Sequence, residues 1–389
     1  TIVAADGGDF CVGKTSTFDF FGVTLALILR AIRVIILSRW NMSKIGRKSK
    51  IALIVVLCIV FCVGIVAGAM ADVATKAIDN QKPDEFLRSW MSYVSDDTLL
   101  TDIVIPGSHD SGTTKMMWAA KTQDKSIKEQ MACGARYFDI RPQLKDGKLV
   151  VFHGPITGED VEPIIDDIKE FLTANPSETL ILDFQHFMSD ETAIEKTDAL
   201  LSDKLDGLMV ANKTELSDLD FVKSLTLADT RGKAIVFFGN VFKNTTNCDY
   251  INGKNYLFQR NGDSDTRQGS GLQSFYDGSL NRKSSKKYLA NAIPKYVDAF
   301  ENSEGGLFVM QMQLTDPIAI IGPKFYEGTH DENATRFISS LPGKDYFGRV
   351  NIIMRDFVGA EKCRQIIALN KDKGTIANDK LSEFASKCA

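Results

Sequence analysis

The chain has few histidines, little net charge and no obvious repeat. Only 4 of its 389 residues are histidine, and the formal net charge is −4 with a pI near 5.7. This small negative charge argues against nucleic acid as a general partner, because phosphate backbones are bound by basic surfaces. No internal repeat stands out, and a chain of this length allows one large domain with appendages, or two domains.

Two of the four histidines lie in one stretch, residues 103–154. His109 comes just past an Ile-Val-Ile run, and His153 directly follows a Leu-Val-Val-Phe run. Between them Asp139 and Arg141 lie two positions apart in a third apolar run, so their side chains point the same way along a strand. Three short strands with polar groups at their ends predict the mouth of a β/α barrel, where such folds place their chemistry.

These residue types suit acid–base chemistry on an anionic substrate. Two imidazoles can act as base and acid, because imidazole gains and loses a proton near neutral pH. Arg141 would hold an anion with its planar, permanently charged fork, which Asp139 or Asp110 would orient. A single histidine after a strand is more often a half-buried structural side chain. Two histidines flanking an Asp-x-Arg strand favour a catalytic site for a phosphodiester attacked by a nearby hydroxyl group.

Three motifs in this stretch carry a family resemblance. They are PGSHDSGT at Pro106–Thr113, FDIR at Phe138–Arg141 and FHG at Phe152–Gly154. In order and spacing they resemble the X region of phosphatidylinositol-specific phospholipase C, closest to the bacterial-type enzymes and to the short eukaryotic proteins that contain only this domain. The likeness runs from about residue 85 to about residue 370. It implies one distorted β/α barrel of the TIM type, and a metal-independent enzyme without a cofactor.

The resemblance also implies roles for individual residues. His109 would be the general base on the inositol 2-hydroxyl group, oriented by Asp356 on the last strand. Arg141 would stabilise the charged phosphoryl oxygens, and His153 would protonate the diacylglycerol leaving group. The products would be diacylglycerol and a cyclic inositol phosphate, which water would open with the two histidine roles reversed.

Two further residues are weaker candidates for binding the substrate. His186 ends a predicted strand where bacterial relatives tend to carry lysine, and where the X-domain-only proteins resemble Asp-Phe-x-His-Phe. Bacterial relatives place an arginine after the next strand, but Gly239 and Asn240 stand there, and Arg260 is the candidate replacement. The fourth histidine, His330, lies in a predicted polar loop and is predicted to be solvated surface.

A charge-free apolar run, Ile51–Ala71, follows a basic segment near the start of the chain. It is long enough to span a bilayer, which takes about 20 residues. Its basic flank and its small-residue end also fit a signal peptide. In both cases everything after residue 72 is expected in the secretory pathway, on the luminal or extracellular side. The protein would be secreted or held by a single N-terminal anchor.

The rest of the chain alternates predicted strands and helices, which favours one β/α barrel. Residues 243–282 are rich in Gly, Asn, Asp and Ser and are predicted to form long loops around one strand, Tyr256–Gln259. Two interpretations of residues 1–41 stay open: an interfacial helix, or a gene-model artefact with translation starting at Met42. The artefact is favoured. The predicted division is 1–41 upstream extension, 42–71 signal peptide or signal anchor, 72–97 linker and short helix, 98–375 catalytic barrel and 376–389 C-terminal tail.

Export makes disulfides and glycosylation relevant. Four cysteines lie in the exported part and allow three pairings, between which the sequence does not choose: Cys133, Cys248, Cys363 and Cys388. Three asparagines begin N-glycosylation tripeptides: Asn212, Asn244 and Asn333.

Three other functions stay open at this stage. A metal-dependent glycerophosphodiester phosphodiesterase would need a Glu-x-Asp pair to hold its ion, whereas Asp139-Ile140-Arg141 puts a cation there. An enzyme that cleaves glycosylphosphatidylinositol would use the same residues. A non-catalytic lipid-binding module could share the fold, because fold alone does not determine function. The predicted partner is a phospholipid at a membrane surface, with no protein partner, nucleic acid, metal or cofactor.

Overall fold

The computed structural model describes residues 47–187, 190–239, 257–259, 271–315 and 321–389. The chain forms two compact units, Thr1–Asp72 and Val73–Ala389. Helix α1 covers Arg47–Thr75, and its segment Val55–Thr75 is long and apolar enough to cross a membrane, by length and composition. A signal sequence near the start of a chain has the same properties, so the helix fits both predictions. The predicted 1–41 extension, Arg260, Asn244 and Cys248 lie outside the described residues.

Strands in the described part of the second unit build two sheets. In chain order they are β1 (Ile105–Ser108), β2 (Tyr137–Ile140), β3 (Pro142–Lys145), β4 (Lys148–His153), β5 (Ile156–Asp160), β6 (Thr179–Gln185), β7 (Lys233–Gly239), β8 (Leu257–Gln259), β9 (Leu272–Ser274), β10 (Leu307–Gln311) and β11 (Ile352–Arg355). Eight of them form a parallel sheet in the order β8-β7-β6-β2-β1-β11-β10-β9, which curls into a nearly closed barrel. The predicted β/α barrel of the TIM type is therefore confirmed.

Helices pack around the barrel. In chain order they are α2 (Glu85–Arg88), α3 (Ile127–Ala132), α4 (Val161–Ala174), α5 (Glu191–Lys204), α6 (Asp218–Ser224), α7 (Leu227–Thr230), α8 (Gly278–Asn281), α9 (Ser285–Glu301), α10 (Pro323–Ser339), α11 (Ala360–Lys373) and α12 (Leu381–Cys388). Helix α4 shows why they form: Ile164, Ile165, Ile168 and Leu172 recur at helical spacing, and all four are buried.

The strand that carries His153 does not belong to the barrel, contrary to the sequence prediction of three barrel strands. It is β4, the middle strand of an antiparallel sheet with β3 and β5. The turn between β3 and β4 is Asp146-Gly147, and both residues have left-handed backbones, with φ of 49° and 79°. A two-residue turn of this kind joins antiparallel neighbours only, and Asp-Gly is a strong signal for it.

Two other predictions on the chain's second half need correction. The stretch 243–282, predicted as loops around a strand at Tyr256–Gln259, has this strand as β8 and also contains β9 and α8, short elements whose few residues show no clear periodicity. The polar stretch around His330 is helix α10, which begins with Pro323 in its first turn. Its sequence has few apolar residues, so the usual helical signal of a regular apolar stripe is weak.

Three of the four cysteines after residue 72 lie in the described part, and they are unpaired. Cys133 and Cys363 are buried, Cys388 is half-buried, and all three carry free thiols. Burial raises the pKa of the Cys133 and Cys388 thiols to about 11, which keeps them protonated and unreactive. No disulfide therefore joins any two of these three cysteines, although the sequence allowed three pairings.

Candidate active site

The mouth of the barrel collects the residues that the sequence singled out. His109 follows β1, Arg141 follows β2 and Asp356 follows β11. These three strands are neighbours in the sheet, in the order β2-β1-β11. Because parallel strands end at the same edge, their last side chains meet although they are far apart in sequence.

His109 and Asp356 form a direct pair. Nδ1 of His109 lies 2.7 Å from Oδ1 of Asp356, and the Asp356 side chain is buried. The His109 backbone N–H donates to the Arg355 carbonyl oxygen at 3.1 Å, which fixes the turn that carries the ring. Since the carboxylate accepts the hydrogen bond, Nδ1 carries a proton. Nε2, on the other side of the ring, lies 3.2 Å from Nη2 of Arg141.

Charges around His109 shift its pKa upward. Burial alone lowers the pKa, but the carboxylates of Asp110 and Asp356 outweigh burial and raise it to about 9. The nearby guanidinium of Arg141 acts in the opposite direction. Burial raises the pKa of Asp356, against the pull of His109. His109 in the free protein is therefore mostly an imidazolium at neutral pH, and its neutral form becomes common only near pH 9.

Arg141 is held by two carboxylates. Its Nε lies 2.7 Å from Oδ1 of Asp110, and its Nη2 lies 2.7 Å from Oδ2 of Asp139. Burial raises the pKa of Asp139, but the Arg141 guanidinium outweighs burial and lowers it well below the usual range. Gln185 also donates from Nε2 to Asp139 Oδ1. The guanidinium is thus fixed in one orientation, and the Arg141 side chain is 18% exposed.

Asp110 is the point on which three groups converge. Its Oδ2 lies 3.2 Å from Nε2 of His109 and 3.7 Å from Nε2 of His153, and its Oδ1 contacts Arg141. The Asp110 backbone has a left-handed φ of 44°, which a non-glycine residue adopts only when its surroundings hold it there. Asp139 supplies that support: its Oδ2 accepts from the Asp110 N–H at 3.2 Å.

His153 reaches the same place from the antiparallel sheet. Its Nδ1 lies 2.8 Å from the Ala120 carbonyl oxygen, and its side chain is 29% exposed. A carbonyl oxygen only accepts, so Nδ1 donates and Nε2 faces Asp110. The two imidazoles thus present equivalent atoms to one carboxylate, one ring more exposed than the other.

One residue that sequence reasoning missed joins the two strand ends. Gln123 donates from Nε2 to the carbonyl oxygens of His109 at 2.8 Å and Arg355 at 3.2 Å. Its Oε1 accepts from the Val358 N–H at 3.0 Å. The sequence around Gln123 carries no signal of this role, because the residue lies in a loop and its side chain bonds only to backbone groups. Gln185 could have been found, because it directly precedes His186 at a strand end.

Three histidine and arginine candidates remain: His186, Arg260 and His330. His186 follows β6 with a left-handed φ of 72°, and its charge contributes to lowering the pKa of Asp139. Arg260 lies outside the described residues. The prediction that His330 is a surface residue is wrong, because the residue is fully buried. Its Nδ1 lies 2.8 Å from Ser285 Oγ, and its Nε2 lies 2.7 Å from the Met312 carbonyl oxygen. Burial lowers its pKa to about 4.

A group of potential metal ligands coincides with this site. One ligand atom from each of His109, Asp110 and Asp139 lies within 4.8 Å of the others. The guanidinium of Arg141 contacts both of these carboxylates at 2.7 Å. A cation already lies beside both acids, and a divalent ion there would be repelled by it. The donor set therefore fits arginine better than a metal ion.

Comparisons with known proteins agree with this geometry. Residues 97–238 match the family described as "Phosphatidylinositol-specific phospholipase C, X domain". The chain is similar to 1-phosphatidylinositol phosphodiesterase of Staphylococcus aureus, with 34% identity over 160 residues, 38% of this chain and 50% of the relative. It is also similar to the protein of that name from Listeria monocytogenes, with 26% identity over 293 residues, 73% of this chain and 85% of the relative.

The barrel is also similar to a solved structure. It matches phosphatidylinositol-specific phospholipase C from Listeria monocytogenes with a TM-score of 0.56 and 23% identity, covering 72% of this chain and 97% of that one. Human PI-PLC X domain-containing protein 2 is 32% identical over 126 residues, 24% of this chain and 41% of the relative. The chain spans about half the length of the Staphylococcus relatives that it matches.

Proposed function

Because residues 97–238 carry the X domain of phosphatidylinositol-specific phospholipase C, we propose that the chain is a lipid phosphodiesterase of that type. It cleaves phosphatidylinositol-type phospholipids to diacylglycerol and a cyclic inositol phosphate. The observation that carries this proposal is the convergence of His109, His153 and Arg141 on Asp110. A base, an acid and a permanent cation stand within reach of one substrate phosphate.

The first half of the reaction belongs to His109. In its neutral form Nε2 accepts the proton of the inositol 2-hydroxyl group, and the oxygen attacks phosphorus to form a new P–O bond. Asp356 holds the ring through Nδ1 at 2.7 Å and stabilises the imidazolium that forms. The orientation is preset, because Asp356 is buried and Gln123 fixes the backbone of His109.

The second half belongs to His153 and Arg141. The P–O bond to diacylglycerol breaks, and His153 Nε2–H gives its proton to the leaving oxygen. Arg141 donates to the phosphoryl oxygens, whose charge grows in the transition state. Asp110 and Asp139 hold its guanidinium in place at 2.7 Å each. No step in this sequence needs a metal ion.

A phospholipid surface is the proposed partner. Met117 and Trp118 lie on the loop that ends in Ala120, the residue bonded to His153, and they are 53% and 51% exposed. Large apolar side chains exposed beside a catalytic mouth suit an apolar lipid phase. The part of the chain after residue 72 is proposed to be exported, with α1 as signal peptide or anchor, and the predicted domain division stays part of this proposal.

The same residues also suit a glycosylphosphatidylinositol substrate, in which the diacylglycerol leaving group is identical. We keep this as the second candidate, because α1 is long enough to hold the enzyme beside membrane-anchored glycoproteins.

The test is product identification. The full chain is incubated with vesicles of phosphatidylinositol, with vesicles of phosphatidylcholine and with a lipid-anchored glycoprotein, and the phosphorus products are identified by ³¹P NMR. We expect a cyclic inositol phosphate from phosphatidylinositol, formed before any acyclic product, and none from phosphatidylcholine, which has no neighbouring hydroxyl group. Absence of cyclic product from both inositol lipids, with the chain folded, overturns the proposal.

A further inference from the structure

The loop that carries Asp356 is strained and must be held from outside. Asp356 is followed by Phe357, whose φ of 47° lies in the left-handed region, and helix α11 begins soon after at Ala360. On one side the loop is tied to Thr122 and Gln123, which accept from the N–H groups of Phe357 at 2.8 Å and of Val358 at 3.0 Å. On its other side, the position of the loop depends on where the first turn of α11 lies.

The N-terminus of α11 lacks a capping side chain of its own. Its cap position is Gly359, and no side chain there accepts from the first turn. Asp79, which precedes the barrel in the chain, supplies the cap instead. Its Oδ2 accepts from the N–H groups of Glu361 at 2.6 Å and of Lys362 at 3.1 Å. These are the second and third helical residues, the positions that a capping side chain normally satisfies.

The fit between Asp79 and Gly359 is close. Asp79 is 7% exposed, and a Cβ placed on Gly359 would lie 2.5 Å from Asp79 Cγ, closer than real side chains approach. Glycine at this position therefore makes room for the carboxylate. Asp79 is itself held, because its Oδ1 accepts from the Gln81 N–H at 3.0 Å and its carbonyl oxygen accepts from Lys125 Nζ at 2.8 Å.

Lys362 connects the same segment to the catalytic loop. Its Nζ lies 3.3 Å from the carbonyl oxygen of Asp356 and 3.4 Å from that of Ala77. Glu327 Oε1 holds the ammonium group at 2.7 Å, and all of these atoms are buried. The segment 76–81 thus contacts the Asp356 loop at two points: the cap at Asp79 and the ammonium group shared with Ala77.

We propose that Asp79 is a positioning residue for the His109–Asp356 pair. The segment 76–81, which lies in the sequence between α1 and the barrel, then belongs to the catalytic machinery and is more than a linker. This inference rests on the proposed function for its kinetic test. It goes beyond that function, because it assigns a catalytic dependence to a part of the chain outside the X domain match at 97–238.

The test uses three variants of the full chain. Asp79→Ala removes the cap, Asp79→Asn keeps an acceptor oxygen, and Asp84→Ala is the matched control. Asp84 also caps a helix from this segment, accepting from the Leu87 N–H at 3.0 Å. Its Oδ2 pairs with Arg364 of α11 at 2.8 Å, so this control removes a contact with the body of that helix and leaves the cap at its N-terminus in place. We expect Asp79→Ala to lower kcat about 10- to 100-fold with little change in KM, because catalytic groups are displaced while the mouth stays intact. We expect Asp79→Asn to restore most of the loss.

A second readout does not depend on activity. The pKa of His109, followed by NMR of its imidazole, should fall in Asp79→Ala from about 9 toward the ordinary 6.5, because Asp356 no longer pairs firmly with it. It should stay unchanged in Asp79→Asn and Asp84→Ala. An unchanged His109 pKa in folded Asp79→Ala overturns the inference, and so does a loss of kcat that Asp79→Asn or Asp84→Ala shares. If wild type cleaves no lipid, the proposed function fails while the NMR arm still decides the role of Asp79.

Discussion

His109 Nδ1 and Asp356 Oδ1 lie 2.7 Å apart although the two residues are separated by 247 positions in the chain. The distance is set by the adjacent strands β1 and β11, which end at the same edge of the barrel. A single residue pair thus joins β1 and β11, the first and last strands of the described part of the barrel, into one chemical unit. Several of the properties that we expect of the protein depend on it.

The first prediction concerns the pKa of His109. Replacing Asp356 with Asn removes one of the two carboxylates that hold this pKa at about 9, so the pKa should fall. The pH at which kcat/KM rises should fall with it, since neutral His109 is the base. An NMR titration of the ring and a pH–rate profile measure both. Glu170→Gln, a change in an exposed pair with Lys128, is the control and should leave both unchanged.

The raised pKa also has a consequence for stability. A histidine whose folded pKa lies above its unfolded value stabilises the fold most fully at low pH. For His109 this contribution is complete below about pH 6.5 and is lost as the pH rises through about 9. His109→Gln should therefore flatten the dependence of the free energy of unfolding on pH in this window, as urea titrations at several pH values would show.

The second prediction concerns the two imidazoles as base and acid. His109→Ala and His153→Ala should each lower turnover by about 10²–10⁴-fold, the usual contribution of a general acid or base. Far-UV circular dichroism should show the barrel intact in both variants. Lys128→Ala, which breaks a surface pair with Glu170, is the control and should keep full turnover. Near wild-type turnover in either histidine variant would contradict the assignment.

The third prediction concerns Arg141 and metal ions. Turnover should survive excess EDTA, because the guanidinium supplies the charge that an ion would otherwise bring. Arg141→Ala should lose activity, and Arg141→Lys should recover little, because an ammonium group cannot bridge Asp110 and Asp139 as the fork does at 2.7 Å each.

Calcium offers the complementary test of the same site. Arg141→Asp places a third carboxylate beside Asp110 and Asp139, and oxygen ligands of this kind are what calcium prefers. We expect this variant to regain some turnover only when calcium is added. Loss of wild-type turnover on chelation, with recovery on adding calcium, would show that Arg141 does not replace a metal.

The fourth prediction concerns His330 as a structural residue. Its ring is buried and bonded on both nitrogens, so His330→Ala should lower the free energy of unfolding by about 1–3 kcal/mol through the unpaired groups left behind. The kcat of the folded protein should not change. A stability close to wild type would mean that the ring is not held as described.

The pH dependence of that stability has the opposite sign to that of His109. Burial lowers the pKa of His330 to about 4, so the unfolded chain binds this proton more readily than the folded one. Its stabilising effect is complete above about pH 6.5 and is lost as the pH falls toward 4. In His330→Gln the loss of stability over this range should be smaller, as thermal melts from pH 4 to pH 7 would measure.

The fifth prediction concerns topology. The chain after residue 72 should be protected from protease in intact microsomes and digested once detergent is added, because a basic flank before an apolar segment stays on the cytoplasmic side. A tag placed before α1 serves as the control and should be digested in both cases if α1 remains as an anchor. Digestion of the barrel in intact microsomes would contradict export.

The sequence by itself identified the barrel and the residues at its mouth. Apolar runs that end in polar residues are local signals, and the motifs around His109, Arg141 and His153 each fit within a few neighbouring positions. Asp356 could be named for the same reason, because it ends an apolar strand and matches a family position. The strand β6 and helix α4 were equally accessible, since their apolar spacing is regular.

Only the tertiary structure decided how these pieces combine. It showed that the strand of His153 lies outside the barrel, that Asp110 is shared by three groups, and that His330 is buried in α10. It also brought Asp79 to the start of α11, 282 positions away from Glu361. Contacts over such distances leave no periodic pattern in the sequence, because they depend on which surfaces the packed strands and helices bring together.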